Sequence, residues 1–201
     1  MSDSKKNKDK NSDAPKFKFN AYWIYGASNL PVNSTSIEGK GPANLRQLNV
    51  HHPWSNGQVY WDCGNDGSGY DRINKPALPE EYKNQWNHWA FTKNAVTGEM
   101  KMFLNGALWH SGTEKFKPIN VTELSIGGGL LNDNLYYYGG MDEVQIFNKA
   151  LDETTIAAWM NKKVDASHPN YDALMLYYDF NAIDNNVIND LSPNGIMGNM
   201  I

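Results

Sequence analysis

The feature that most restricts the fold of this chain is a series of short runs in which large apolar residues alternate with polar ones. Residues 99–104, for example, read Glu-Met-Lys-Met-Phe-Leu and lead directly into Asn105-Gly106. Successive side chains of a β-strand point to opposite faces of the sheet, so this alternation lets one face be buried. Asn-Gly tolerates the positive φ of a two-residue hairpin turn. The pattern therefore predicts antiparallel strands joined by tight turns.

Similar runs recur along the chain and predict strands at residues 17–25, 45–50, 58–62, 86–92, 99–104, 107–110, 123–126, 141–147 and 174–180. One segment, residues 152–162, has helical spacing instead, with Ile156, Trp159 and Met160 on one side and Asp152 as its N-cap. Many short strands and one short helix indicate an all-β chain, folded as a two-sheet antiparallel β-sandwich.

Composition excludes several classes of protein. The chain has 201 residues, enough for one sandwich with a short appendage. Its net charge of -4 lacks the basic surplus of a nucleic-acid-binding surface. A mean hydropathy of -0.63 and no apolar run of about 18 residues argue against membrane insertion. The one cysteine, Cys63, cannot form an internal disulfide.

The two ends of the chain differ from its centre. Residues 1–16 are polar, with no large apolar residue after Met1, and we expect a disordered tail because they can bury nothing. They also lack the apolar stretch of a signal peptide. The chain is therefore either intracellular as written or a piece of a larger exported protein. Residues 17–163 contain the predicted sandwich, and residues 164–201 form a separate C-terminal segment.

Five blocks, residues 86–92, 98–106, 126–128, 140–148 and 150–151, carry a family resemblance. In this order and spacing the chain resembles the laminin-G-like jelly-roll domains of the concanavalin A-like lectin and glucanase superfamily, over roughly residues 19–163. The resemblance implies a jelly-roll sandwich that acts as a non-catalytic recognition or adhesion module. It also implies an extracellular or cell-surface setting and a glycan or glycoprotein surface as the partner.

The C-terminal segment has two interpretations. Residues 174–181 and 190–195 resemble the way such a domain begins, whereas the front of this chain lacks that opening strand. The segment either starts a second module that is cut off at Ile201, or folds back to supply the missing strand in circularly permuted order. An unpaired strand edge is open to pairing, so strand exchange with a neighbouring module is a further expectation.

Catalytic patterns are weak in this sequence. The same superfamily includes glycoside hydrolases. Those that resemble laminarinases place their catalytic acidic residues on one strand, where the side chains face a cleft. Here the adjacent pair Asp142-Glu143 is expected to face opposite sides of a strand, and the resemblance implies a structural role for it. Cys63 is expected to be a buried, unreactive thiol. We therefore predict that the protein is not an enzyme, with a glycoside hydrolase as a remote alternative.

Residues 62–72 form the richest polar cluster. Asp62, Asp66 and Asp71 lie there among Gly, Asn and Ser, which offer the oxygen ligands that Ca²⁺ prefers. The spacing differs from that of an EF-hand loop. Two interpretations stay open: a calcium site with these three aspartates, or a tight polar turn held by side-chain hydrogen bonds to the backbone.

Aromatic residues near this cluster are candidates for a sugar site, because the C–H face of a sugar stacks on aromatic rings while polar side chains bind its hydroxyl groups. The predicted ligand-binding residues are Trp54, Tyr60, Trp61, Asn65, Tyr70, Arg72, Tyr136 and Tyr137. The alternative is that such rings belong to the core, where we place Trp23, Trp86, Trp89 and Trp159. The predicted function is carbohydrate recognition; the alternative is a spacer domain of a surface or virion protein.

Overall fold

The computed structural model describes residues 18–131 and 134–200, which form two large antiparallel sheets and a small third one. The predicted tail, residues 1–16, lies outside the described residues. The strands are β1 (Phe19–Gly26), β2 (Ile37–Lys40), β3 (Arg46–His51), β4 (Gln58–Asn65), β5 (Tyr70–Pro76), β6 (Trp86–Asn94), β7 (Glu99–Leu104), β8 (Ala107–Gly112), β9 (Glu123–Ile126), β10 (Gly139–Phe147), β11 (Leu174–Tyr178), β12 (Ile183–Asp184), β13 (Val187–Ile188) and β14 (Gly198–Asn199). The α-helices are α1 (Pro79–Tyr82) and α2 (Glu153–Trp159).

The strands are arranged as a sandwich. A six-stranded sheet has the order β11-β10-β1-β6-β7-β8, and a five-stranded sheet has the order β5-β4-β3-β2-β9. Strands β12, β13 and β14 form the small sheet near the C-terminus. This architecture confirms the predicted all-β sandwich. None of the helices within residues 18–131 and 134–200 has the length and apolar character required to cross a bilayer.

The core lies between the two large sheets and follows from the alternation in the sequence. Trp89 and Phe91 of β6 are fully buried, and their rings stack at 6.1 Å. Trp61 and Val59 of β4 meet them from the five-stranded sheet. The prediction of Trp89 as a core residue is confirmed, whereas Trp23 and Trp159 are only half-buried. Trp86 is 49% exposed, so its assignment to the core is wrong.

Among the strands of the two large sheets, β2 and β5 are absent from the prediction. Strand β2 has four residues, of which Ile37 is the one large apolar side chain. In β5 an inward position is occupied by Asp71, whose carboxylate accepts a hydrogen bond from Nζ of Lys93 on β6 at 2.8 Å. A buried ion pair between the sheets thus replaces the apolar contact that the alternation rule expects. The predicted hairpins β3–β4 and β7–β8 are confirmed.

A second apolar cluster lies on the other side of the six-stranded sheet. Ala21 and Ala90 are small residues on β1 and β6, and they belong to the cluster that also contains Ile156 of α2. The helix begins as predicted, with Oδ1 of Asp152 accepting a hydrogen bond from the backbone N of Thr155 at 2.7 Å. It ends at Trp159, earlier than residue 162. The helix therefore covers part of the outer face of this sheet.

The C-terminal segment adds β11 to the edge of the six-stranded sheet. Val144 of β10 pairs with Tyr178, and Ile146 pairs with Leu176. This pairing is the arrangement that the fold-back interpretation predicts. Whether the segment completes this domain or begins another module stays a prediction.

The free edge of β11 is closed by side chains of the segment that follows it. Oδ1 of Asp190 accepts a hydrogen bond from the backbone N of Tyr177 at 2.9 Å. Nδ2 of Asn194 donates to the carbonyl of Leu174 at 2.8 Å, and Oγ of Ser192 donates to that of Met175 at 3.2 Å. These bonds occupy backbone groups that an unprotected edge would offer to another strand.

Ending the chain at Lys163 tests the contribution of the segment to stability. The truncated chain is expected to unfold at a clearly lower temperature, because the buried side chains of Leu174, Leu176 and Tyr177 are lost and β10 keeps only β1 as a partner strand. In the full chain, Leu176→Ala is expected to cost about 2–5 kcal/mol, while Val96→Ala, at an exposed site, should cost less than about 0.5 kcal/mol. Thermal unfolding at one pH gives the comparison, and an unchanged midpoint after truncation contradicts the fold-back interpretation.

The buried imidazole of His52 makes stability depend on pH. Burial lowers its pKa to about 3, whereas the unfolded chain binds the proton near pH 6.5. The folded state is therefore favoured fully above about pH 6.5 and loses about 1.4 kcal/mol per pH unit below it, until the pKa of about 3 is reached. Urea unfolding at pH 7 and pH 5 should show this loss of unfolding free energy, and His52→Gln should make the loss smaller. An equal loss between pH 7 and pH 5 in both proteins would refute the assignment of the pH dependence to His52.

Candidate functional site

The outer face of the five-stranded sheet carries a continuous polar surface. Most of its side chains come from alternate positions of the strands, on the side opposite to the core. Trp54 lies in the connection between β3 and β4, and Arg46 lies at a register shift between β2 and β3. We call this surface the polar face, and it consists of Glu38, Lys40, Arg46, Asn49, His51, Trp54, Gln58, Tyr60, Asp62, Tyr70, Arg72, Asn74 and Glu123.

Cross-strand pairing brings these residues into rows. Asp62 lies between Asn49 on β3 and Arg72 on β5, and Tyr60 lies between His51 and Asn74.

A buried carboxylate lies at the centre of the polar face. Asp62 has no exposed surface, and its Oδ1 accepts a hydrogen bond from Nε of Arg72 at 2.5 Å. Its Oδ2 accepts bonds from Nη2 of Arg72 at 2.8 Å and from Nη1 of Arg46 at 3.1 Å. The contact with Arg72 is therefore bidentate, which fixes the plane of the guanidinium. These hydrogen bonds also raise the pKa of Arg72.

Glu38 forms the second anchor. Its Oε1 accepts hydrogen bonds from Nε of Arg46 at 3.2 Å and from Nδ2 of Asn49 at 2.8 Å. Its Oε2 accepts bonds from the backbone N of Leu130 at 2.6 Å and of Leu131 at 3.0 Å. The loop that follows β9 is thereby attached to the polar face.

Aromatic rings lie against the two guanidinium groups. Cζ of Arg72 is 4.9 Å from the ring centre of Tyr60 and 5.1 Å from that of Tyr70. Arg46 approaches Tyr70 at 5.5 Å. Nearby, the ring of Trp54 is 4.4 Å from that of His51. Tyr70 is 38% exposed, so a ring supported by two cations is open to solvent.

The structure brings together four of the predicted ligand residues: Trp54, Tyr60, Tyr70 and Arg72. Trp61 and Tyr137 are 1% and 8% exposed in the core, so their prediction as ligand contacts is wrong. Trp61 follows Tyr60 on β4 and therefore points to the opposite face.

Two other predicted ligand residues lie apart from this group. Oδ1 of Asn65 accepts a hydrogen bond from the backbone N of Gly67 at 2.8 Å, which stabilises a turn. Tyr136 is exposed in the loop after β9, next to Gly128.

Several members of the polar face were not predicted. Glu38, Arg46, Asn49 and His51 have no local motif, and Glu38 lies on a strand that was itself missed. The hairpin between β3 and β4 holds the signal that could have found two of them. Once Asn56-Gly57 fixes the turn, alternate positions place Asn49 and His51 beside Asp62 and Tyr60.

The three aspartates proposed as calcium ligands do not form one site. Asp62 is bound by two arginines, and Asp71 points inward to Lys93. Asp66 is exposed; Nζ of Lys117 donates to it at 2.6 Å and, together with Ser68, lowers its pKa below the usual range. Within the described part of the chain, no group of three or more His, Cys, Asp or Glu side chains is placed to hold a metal ion. Calcium binding stays a prediction for calorimetric titration.

The pair Asp142-Glu143 lies at a β-bulge, where the register between β1 and β10 shifts between Ala21 and Trp23. A bulge interrupts the strict alternation of side chains. The alternation rule therefore cannot be used to place Asp142 and Glu143 on opposite faces of the strand, as expected from the sequence. Glu143 has a positive φ of 53° and accepts a hydrogen bond from the hydroxyl of Tyr177 on β11. Burial raises its pKa. The contact ties β10 to β11.

The thiol of Cys63 is buried on β4. Burial raises its pKa to about 12, which keeps this thiol protonated at neutral pH.

Comparison with known proteins identifies the family and the fold. The family model Laminin_G_3, described as the Concanavalin A-like lectin/glucanases superfamily, matches residues 21–161, which confirms the laminin-G-like resemblance. No match was found among curated proteins.

Solved structures with this fold include domains crystallised with sugars. A candidate carbohydrate-binding protein from Bacteroides ovatus is 19% identical with a TM-score of 0.69, and the match covers 94% of this chain and 53% of that protein. The CBM40 of Ruminococcus gnavus IT-sialidase, bound to α2,3-sialyllactose, is 19% identical with a TM-score of 0.57 over 74% of this chain and 84% of that one. Domain 4 of AbnA, a GH43 extracellular arabinanase of Geobacillus stearothermophilus in complex with arabinotriose, is 18% identical with a TM-score of 0.53 over 72% and 66%.

The role of Asp62 can be tested against Asp66, which lies on the same hairpin. Asp62→Ala leaves Arg46 and Arg72 without their shared partner and is expected to cost about 2–4 kcal/mol, somewhat less than a fully buried pair because both arginines keep some contact with water. Asp66→Ala breaks an exposed ion pair that water screens, so it should change the free energy of unfolding far less than Asp62→Ala does. Urea denaturation of both variants measures the difference. Equal, small losses would mean that Asp62 does not organise the polar face.

Proposed function

We propose that this chain, which belongs to the Concanavalin A-like lectin/glucanases superfamily, is a non-catalytic carbohydrate-binding module that holds its ligand on the polar face. The observation that carries this proposal is the convergence of Trp54, Tyr60 and Tyr70 with Arg72 on that one face. The family and the fold raise the expectation of sugar binding, but a fold supports many functions, so the argument depends on the site.

The chemistry of the polar face suits a sugar. An exposed tyrosine ring such as that of Tyr70 offers an apolar surface for the C–H face of a pyranose or furanose, and its hydroxyl offers a polar contact. Beside the rings, the amides of Gln58 and Asn74 can donate to and accept from sugar hydroxyl groups. Arg72 binds Asp62 through Nε and Nη2, so its Nη1 group is not engaged by that carboxylate.

The polar face is also organised in advance of binding. Asp62 holds Arg72 by two hydrogen bonds, and the guanidinium in turn supports the rings of Tyr60 and Tyr70. Side chains that are already held lose little conformational freedom when a ligand arrives, which favours affinity. This rigidity supports recognition by a fixed surface rather than by a mobile loop.

Two solved structures with this fold hold sialyllactose and arabinotriose, and this supports a glycan as the class of ligand. We include in the proposal an extracellular setting, in which the module attaches a larger protein to a glycan or glycoprotein surface.

Tyr70→Ala tests the site, and Tyr25→Ala is its matched control. Tyr25 is 39% exposed, close to the 38% of Tyr70, but it lies on β1 of the other sheet. After a glycan array identifies a ligand, Tyr70→Ala should weaken its binding at least about tenfold in calorimetry, equivalent to about 1.4 kcal/mol, because the stacking surface is lost. Tyr25→Ala should bind like the unaltered protein.

Three results would count against the proposal. A glycan array with no bound sugar would favour the spacer alternative. Equal effects of Tyr70→Ala and Tyr25→Ala on binding would indicate that the ligand does not bind at the polar face. Release of sugars from a polysaccharide panel would contradict the non-catalytic part.

A further inference from the structure

We propose that the polar face selects neutral glycans and discriminates against acidic ones such as sialylated or uronic acid-containing sugars. This inference rests on the proposed function and names the class of ligand. It follows from the charges on the polar face, which are balanced within the protein itself.

Each cation of the polar face is paired with a carboxylate of the same face. Arg72 binds Asp62 at 2.5 Å, and Arg46 lies between Asp62 and Glu38 at 3.1 and 3.2 Å. Toward the β9 edge of the same face, Lys40 binds Glu123 at 3.0 Å. The three cations are therefore matched by three anions.

His51 adds no positive charge at neutral pH. Burial lowers its pKa, and the backbone carbonyl of Ser34 lies 2.7 Å from its Nδ1. The side chain of Glu38 and that of Asp62 are 1% and 0% exposed, so their charges cannot be moved aside by rotation into solvent. The arrangement holds the guanidinium groups near two fixed negative charges.

An acidic sugar would meet an unfavourable balance at this surface. Its carboxylate would lose water on binding and would need a cation to compensate. The arginines are already bound to Asp62 and Glu38, and a third carboxylate beside them would be repelled by both. A neutral sugar needs hydrogen-bond donors and an apolar surface, and both are present.

Pairs of sugars that differ by one carboxylate test the inference on the full chain. Suitable pairs are lactose with α2,3-sialyllactose, and galactotriose with trigalacturonic acid, chosen according to the array result. Calorimetry should give the neutral member an affinity at least threefold higher, and raising NaCl from 50 to 500 mM should change its Kd less than twofold. Tighter binding of the acidic member, weakened by salt, would overturn the inference.

Charge variants sharpen the test. Asp62→Asn and Glu123→Gln each remove one negative charge from the polar face, and each should shift the preference toward the acidic sugar at least threefold. Asp184→Asn removes one negative charge from β12, outside the polar face, and should leave the preference unchanged. Glu123 has a side chain that is 60% exposed, so its variant is informative even if Asp62→Asn fails to fold.

The outcomes separate the two proposals. If no sugar of either kind binds, carbohydrate binding itself is wrong. If sugars bind but the acidic member is preferred by the unaltered protein, only the charge argument is wrong. If Asp184→Asn shifts the preference as much as Glu123→Gln, overall charge controls selection and the polar face does not.

Discussion

The buried carboxylate of Asp62 is the interaction on which the polar face depends. Removing a carboxylate from water costs several kcal/mol, and this cost is offset here by hydrogen bonds to both oxygens from Arg46 and Arg72. The same bonds fix the guanidinium planes, against which Tyr60 and Tyr70 lie. A charge on the sheet thus determines where two aromatic rings stand. The proposed ligand surface therefore depends on the charge interactions of Asp62 beneath it.

The two large sheets have different surroundings outside the core. The outer face of the six-stranded sheet is covered around Ala21 and Ala90 by α2 and by residues near β11. The five-stranded sheet has no such helix among the described residues, and its outer face is covered by its own side chains and by the loop bound to Glu38. This difference leaves the five-stranded sheet with an outer face built of its own side chains, which is where we propose that the ligand binds.

Local patterns in the sequence were sufficient for most of the fold. The alternation at residues 99–104 and the turn at Asn105-Gly106 gave a hairpin with the correct turn and the correct bounds of β7, although β8 continues to Gly112 instead of ending at residue 110. The assignment of faces needed more than local information. Trp86 is half exposed, and its ring lies over Gly140, on a strand that is distant in sequence. Asp71 is buried because Lys93 of the other sheet meets it. Neither partner can be identified from the residues adjacent in sequence.

The use of the carboxylates supports recognition without turnover. A retaining glycosidase needs two carboxyl groups about 5–5.5 Å apart that can reach the ligand and exchange protons with it. On the polar face both oxygens of Asp62 and both oxygens of Glu38 already accept hydrogen bonds from the protein. Glu143, whose pKa is raised, lies in the other sheet and binds the hydroxyl of Tyr177. The acidic groups therefore position other side chains, and a ligand on this face would meet aromatic rings, amides and held guanidinium groups.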